Sequence, residues 1–128
     1  MENLIHLDTH VVLWLYSGET RLLSKKACEL IEESTLCISP IVELELEYLK
    51  EIKRITVAPE KILKALKMEI GLSFCSHSFE IVVTEACNLK WTRDPFDRII
   101  TASASINNIT LITKDFTILE NYKYAVWE

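Results

Sequence analysis

The sequence predicts an α/β domain, a three-layer α/β/α sandwich around a short parallel sheet. Two observations predict it. Apolar runs of only a few residues alternate with longer segments of helical periodicity, in the order strand, helices, strand, helices, strand, short helix, strand. Most of the helical segments open on Ser, Asp or Pro in capping positions, so the switches from strand to helix are marked locally. Short strands separated by helices pair in parallel, and right-handed crossovers follow. No repeat, low-complexity tract or long linker divides the 128 residues, and one domain, 1–128, is expected.

Leu4–Leu7 reads as a short buried strand. Asp8 ends it and caps an apolar helix over Thr9–Tyr16. Gly18-Glu19-Thr20 is a break, after which Ser24 caps a second helix to about Glu33, with Ala27, Leu30 and Ile31 facing inward. Leu36-Cys37-Ile38 is the next strand. Ser39-Pro40 repeats the cap-and-proline signal for a helix to about Lys53, and Pro59-Glu60 opens another to about Glu69. Leu72-Ser73-Phe74 is a minor strand, and either Ser76 or Ser78 caps a helix to about Cys87. In the hexapeptide Arg93-Asp94-Pro95-Phe96-Asp97-Arg98, Asp94 is the N-cap and Pro95 the first residue of a helix reaching Ile106, where Asn107-Asn108 ends it. Thr110-Leu111-Ile112 is a strand, Thr113-Lys114-Asp115 turns into a short helix to about Leu119, and Ala125-Val126-Trp127 closes the sheet as an edge strand.

Composition excludes several functions. Apolar residues make up 49% of the chain, which argues against disorder, and two glycines cannot build a glycine-rich phosphate loop. A net charge of −5 argues against a generic nucleic-acid coat, though not against an enzyme that meets nucleic acid through metal ions. Cys28, Cys37, Cys75 and Cys87 show no paired spacing and lie in apolar surroundings, so buried free thiols are expected rather than a zinc site. Asp8 and two histidines interrupt the one apolar N-terminal stretch. It is therefore neither a signal peptide nor a membrane span, and a cytoplasmic protein is expected.

The carboxylates carry the functional signal. Asp8 and Asp115 each follow a strand, and groups at the carboxyl ends of parallel strands share one crevice. Each is also a helix N-cap, a sufficient structural reason by itself. On a helix advancing about 100° per residue, Ile41, Val42, Tyr48, Leu49 and Ile52 form an apolar face, with Glu45 in its middle and Glu43, Glu47 and Lys50 on the solvated side. A carboxylate placed there needs a buried ion pair or a bound cation. In the helix after Pro95, the residues Phe96, Ile99, Ile100, Ser103 and Ala104 face inward, Asp97 lies at the edge of that face and Arg98 points away. Asp8, Glu45, Asp97 and Asp115 thus make a converging acidic set. Ionised oxygens without a histidine pair suit Mg²⁺ or Mn²⁺. His6 and His10 read as packing or supporting groups. Such a site suits metal-assisted phosphodiester hydrolysis, with Arg93, Arg98 and Lys114 as contacts to flanking phosphates or as ordinary surface charge.

At these residues the chain resembles a PIN domain of the VapC toxin type. The matching segments are Leu7-Asp8-Thr9-His10 with Leu13-Trp14-Leu15, Ile38-Ser39-Pro40 leading to Glu45, the hexapeptide Arg93–Arg98, Leu111–Asp115, and the final Val126-Trp127. The resemblance implies an Mg²⁺- or Mn²⁺-dependent endoribonuclease, usually dimeric and inhibited by a cognate antitoxin protein. By position, Asp8, Glu45, Asp97 and Asp115 match the family's catalytic and metal-binding quartet, and Thr9, Ser39 and Thr113 match the polar residues that support it. Val42–Glu47 departs from the usual pattern, so the match at Glu45 could slide to Glu43 or Glu47, although the helical face favours Glu45. The rival readings are a non-enzymatic PIN-like module that binds RNA or protein, a phospho-acceptor receiver domain, and a haloacid-dehalogenase-type phosphatase. The last two need acidic pairs that Asp8-Thr9-His10 does not supply.

Overall fold

The computed structural model describes residues 3–128, so residues 1 and 2 of the expected 1–128 unit lie outside the described residues. The expected sandwich forms around five short parallel strands: β1 (Leu4–Leu7), β2 (Thr35–Ile38), β3 (Ser73–Phe74), β4 (Thr110–Ile112) and β5 (Ala125–Val126). Their order across the sheet is β3-β2-β1-β4-β5. The central strand β1 pairs with β2 through Ile5 opposite Leu36 and His6 opposite Cys37, and with β4 through Leu7 opposite Ile112. Ile5, His6 and Leu7 are buried in succession, as are Leu36, Cys37 and Ile38. Successive strand residues point to opposite faces, so both faces of the sheet are covered.

The helices are α1 (Thr9–Ser17), α2 (Lys25–Glu33), α3 (Ile41–Glu51), α4 (Pro59–Ile70), α5 (Phe79–Cys87), α6 (Pro95–Ser105) and α7 (Phe116–Asn121), with a 3-10 turn at Thr20–Leu22. Their starts follow the capping chemistry. Asp8, Ser24, Ser78, Asp94 and Asp115 each accept a backbone N–H of the helix they precede, so Ser78 rather than Ser76 caps α5. Such caps contribute about 1 kcal/mol each. Gly18 and Gly71 end α1 and α4 in left-handed conformation, with φ of 73° and 70°. Helix α3 stops two residues before the expected Lys53, whose φ of 64° breaks the helical path. Helix α7 runs two residues past the expected Leu119. The Ser24 hydroxyl also donates to the Trp127 carbonyl, tying the end of the chain to the start of α2.

One apolar core joins the sheet to α1, α3, α4, α6 and α7, and a smaller one joins Val82 and Ala86 of α5 to Ala102 of α6. Two expectations need correction. The stripe of α3 that enters the core is Val42, Leu46 and Leu49, whereas Tyr48 and Ile52 are 46% and 43% exposed. The four cysteines are free, but only Cys37 is buried. Cys28 and Cys75 are half-buried and Cys87, the last residue of α5, is exposed. Among the described residues no helix is long and apolar enough to cross a membrane.

Candidate active site

The acids meet because strand ends and helix starts coincide. Asp8 leaves β1 in extended conformation, and its N–H donates to the Ile112 carbonyl at 3.0 Å, which places it beside the end of β4. Its carboxylate is 7% exposed. One oxygen accepts the Thr9 N–H at 2.7 Å and the other accepts the Thr113 hydroxyl at 2.6 Å. Thr113 in turn accepts the Asp115 N–H at 3.0 Å, and the Asp115 carboxylate accepts the Ile118 N–H at 2.9 Å. Glu45 stands half-buried beside the core stripe of α3 and accepts the Thr9 hydroxyl at 2.5 Å. Thr9 and Thr113 therefore hold the carboxylates of Asp8 and Glu45 and the backbone of Asp115. Ser39 does not join them: its hydroxyl accepts the Ile41 N–H at the start of α3.

Asp97 lies half-buried in the first turn of α6, behind the cap formed by Asp94, which accepts the N–H groups of Phe96 at 2.8 Å and Asp97 at 3.2 Å. Asp8, Glu45, Asp94, Asp97 and Asp115, with His10 and Lys114, border one cleft of about 410 Å³. The quartet singled out in the sequence is therefore brought to one place. Glu43 instead borders a separate cleft with Glu60 and Lys64.

The electrostatics record this convergence. Burial, then the charges of Asp94, Asp8, Asp115 and Glu45, push the Asp97 carboxyl up to about 8. Burial also raises Asp8, against the stabilising hydrogen bonds from Thr113 and Thr9 and the charge of His10. Glu45 is raised first by burial, with Thr9 and His10 opposing and Asp8 and Asp94 reinforcing. His10 eases both Asp8 and Glu45. Such a set of oxygens is disfavoured when ionised together and suits a hard divalent cation. Among the described residues, no three His, Cys, Asp or Glu side chains stand close enough to form a ready-made metal cage. The acids border an open cleft.

Two readings of single residues change. Arg98 does not point away as a free phosphate contact. Its Nε donates to the Ala86 carbonyl at 3.1 Å and its terminal nitrogen to the Cys87 carbonyl at 3.4 Å, so its charge sits at the C-terminus of α5. His6 lies in the sheet, 1% exposed, with Nδ1 unpartnered and its pKa lowered to about 4 by burial and by His77. His10, read from sequence as a packing or supporting group, does not pack: it is exposed on the rim of the cleft, and Trp14 lines the same cleft. Their spacing of four residues, about one helical turn, on the helix that a candidate acid caps was the available signal.

Residues 5–123 match the family model described as PIN domain. No curated protein sequence matches significantly. Among solved structures, DNA-bound VapBC from Salmonella typhimurium aligns with a TM-score of 0.67 and 20% identity, covering 100% of this chain and 98% of that one. A toxin-antitoxin complex from Klebsiella pneumoniae aligns with a TM-score of 0.65 and 18% identity over 95% of both chains. VapBC2 from Rickettsia felis, bound to a promoter DNA fragment, aligns with a TM-score of 0.64 and 17% identity over 98% and 97%. At these identities the structural likeness is one of fold.

Proposed function

The chain belongs to the PIN-domain family, and from that premise we propose that it is a divalent-metal-dependent endoribonuclease, the toxin of a toxin–antitoxin pair. The observation that carries the reading is the cleft bordered by Asp8, Glu45, Asp97 and Asp115, drawn from four separate places in the chain, in which burial and the charges of the other three raise Asp97. A site of this kind has little use in a purely structural module, because mutual repulsion of buried carboxylates works against folding.

In this reading the four acids hold Mg²⁺ or Mn²⁺, which when bound supplies water activation and charge neutralisation at the phosphate. Thr9 and Thr113 keep the carboxylates aimed into the cleft. Lys114 and the exposed Arg93 offer charge to flanking phosphates. A cognate antitoxin protein is the proposed partner. It is supported by fold neighbours that are themselves a toxin-antitoxin complex and VapBC assemblies. Action as one domain over residues 1–128, as a homodimer and in the cytoplasm completes the proposal.

The test is cleavage of a cellular RNA pool with Mg²⁺ or Mn²⁺ and with chelator. Metal-dependent cleavage that disappears in both Asp8→Asn and Asp97→Asn is expected. Metal-independent cleavage, or cleavage that survives both substitutions, rules the reading out.

A further inference from the structure

A row of rings leads from the core to the rim of the acid cleft. Trp127 is 8% exposed, Trp14 is half-buried and His10 is exposed. The Trp14 and Trp127 ring centres lie 5.8 Å apart at 60°, and those of His10 and Trp14 lie 6.2 Å apart at 48°. His10 and Trp14 follow Asp8 on α1 and both line the cleft. Trp127 anchors the row from behind, because its carbonyl is held by Ser24.

Lys114 completes the arrangement. Its Nζ stands 5.9 Å from the centre of the Trp14 ring and 6.0 Å from that of Trp127. Its ammonium therefore lies over the two rings at cation–π range, on the wall of the acid cleft. Lys114 is also the shared wall between the acid cleft and a second cleft of about 500 Å³ that contains Trp127 and Lys26. Lys114 and Lys26 thus form a basic strip next to the acids, with Glu128 on the border of the second cleft.

We propose that single-stranded RNA enters the acid cleft across this shelf, with a base stacked on His10 and Trp14 and the adjoining phosphates held by Lys114 and Lys26. The proposal rests on the nuclease reading and adds where the strand lies. Stacking on rings and point contacts to phosphates are the two interactions that hold unpaired strands with little regard to sequence. A duplex hides its base faces, so the shelf selects unpaired RNA. In a chain of net charge −5, attraction to a polyanion depends on such a local track.

The experiment uses the full chain carrying Asp97→Asn, which should leave RNA uncut, and a fluorescein-labelled unstructured oligoribonucleotide in magnesium. His10→Ala and Trp14→Leu, each added to Asp97→Asn, should weaken binding about tenfold, the loss expected for one stacked base. Trp14→Phe should keep most of the affinity, because an aromatic face remains for stacking. Lys114→Ala and Lys26→Ala should each lower the slope of log affinity against log salt by about 0.7. Unchanged affinity in His10→Ala overturns the shelf while the nuclease reading stands. His10 is exposed, so its variant tests the shelf even where Trp14→Leu fails to fold. No binding by Asp97→Asn together with no cleavage by the wild type removes both readings.

Discussion

Thr113 Oγ1 donates to Asp8 Oδ2 across 2.6 Å and accepts the Asp115 N–H at 3.0 Å, so one hydroxyl joins the end of β1 to the start of α7. Removing it leaves a buried carboxylate oxygen without a donor. Thr113→Val should therefore destabilise the fold by about 1–3 kcal/mol. It should also lower cleavage by roughly 10- to 100-fold, the usual effect of losing a group that orients a metal ligand. Chemical denaturation and single-turnover cleavage measure the two effects separately. A variant with wild-type activity would show that the hydroxyl does not position Asp8 for chemistry.

Asp97 makes stability depend on pH when no metal is present. Its folded-state pKa of about 8 lies above the ordinary value of 3.8. The folded protein therefore keeps a proton that the unfolded chain gives up. This contribution is full below about pH 4 and is lost as pH rises through about 8. In chelator the melting temperature should fall over that interval, and Asp97→Asn should flatten the fall. An equally steep profile in the variant would assign the effect to another group.

Metal should act in the opposite direction. A cation that binds only the folded state stabilises it by mass action, about 2.7 kcal/mol at one hundred times its dissociation constant. Millimolar Mn²⁺ or Mg²⁺ should raise the melting temperature above that in chelator at neutral pH. Asp8→Asn should shrink the rise. The same melting curve with and without metal would count against the four acids as ligands.

The phase of α3 is tested by comparing two leucine-sized side chains. Leu46 is fully buried and Ile52 is 43% exposed. Leu46→Ala should cost about 2–5 kcal/mol, and Ile52→Ala about 1 kcal/mol or less. Urea unfolding of the two variants gives the comparison. Equal costs would restore the face that sequence periodicity suggests.

Local chemistry made the order of strands and helices readable. Asp94 with Pro95 and Ser24 with its following helix announce their own positions, because a cap needs only neighbours a few residues away. The acids Asp8, Asp97 and Asp115 were legible for the same reason: they stand at those announced junctions. Glu45 was found by phase, but the phase was rotated. Tyr48 and Ile52 are apolar enough to imitate a core face, whereas the buried residues are Val42, Leu46 and Leu49, with Ile41 half-buried against the core. Tyr48 instead rests against Phe96, with ring centres 5.7 Å apart. Arg98 went astray because its partners are carbonyls of α5, which no spacing within α6 reveals.

The placement of β1 between β2 and β4 has a consequence in time. The Thr113 that orients Asp8 is made 105 residues after it. Pairing across so long a separation is non-local, and non-local pairing forms slowly. A ribosome-bound chain can fold its early helices, but the cleft stays incomplete until β4 and Asp115 have emerged. The order of the strands thereby withholds the complete acid cleft until β4 and the start of α7 have been made.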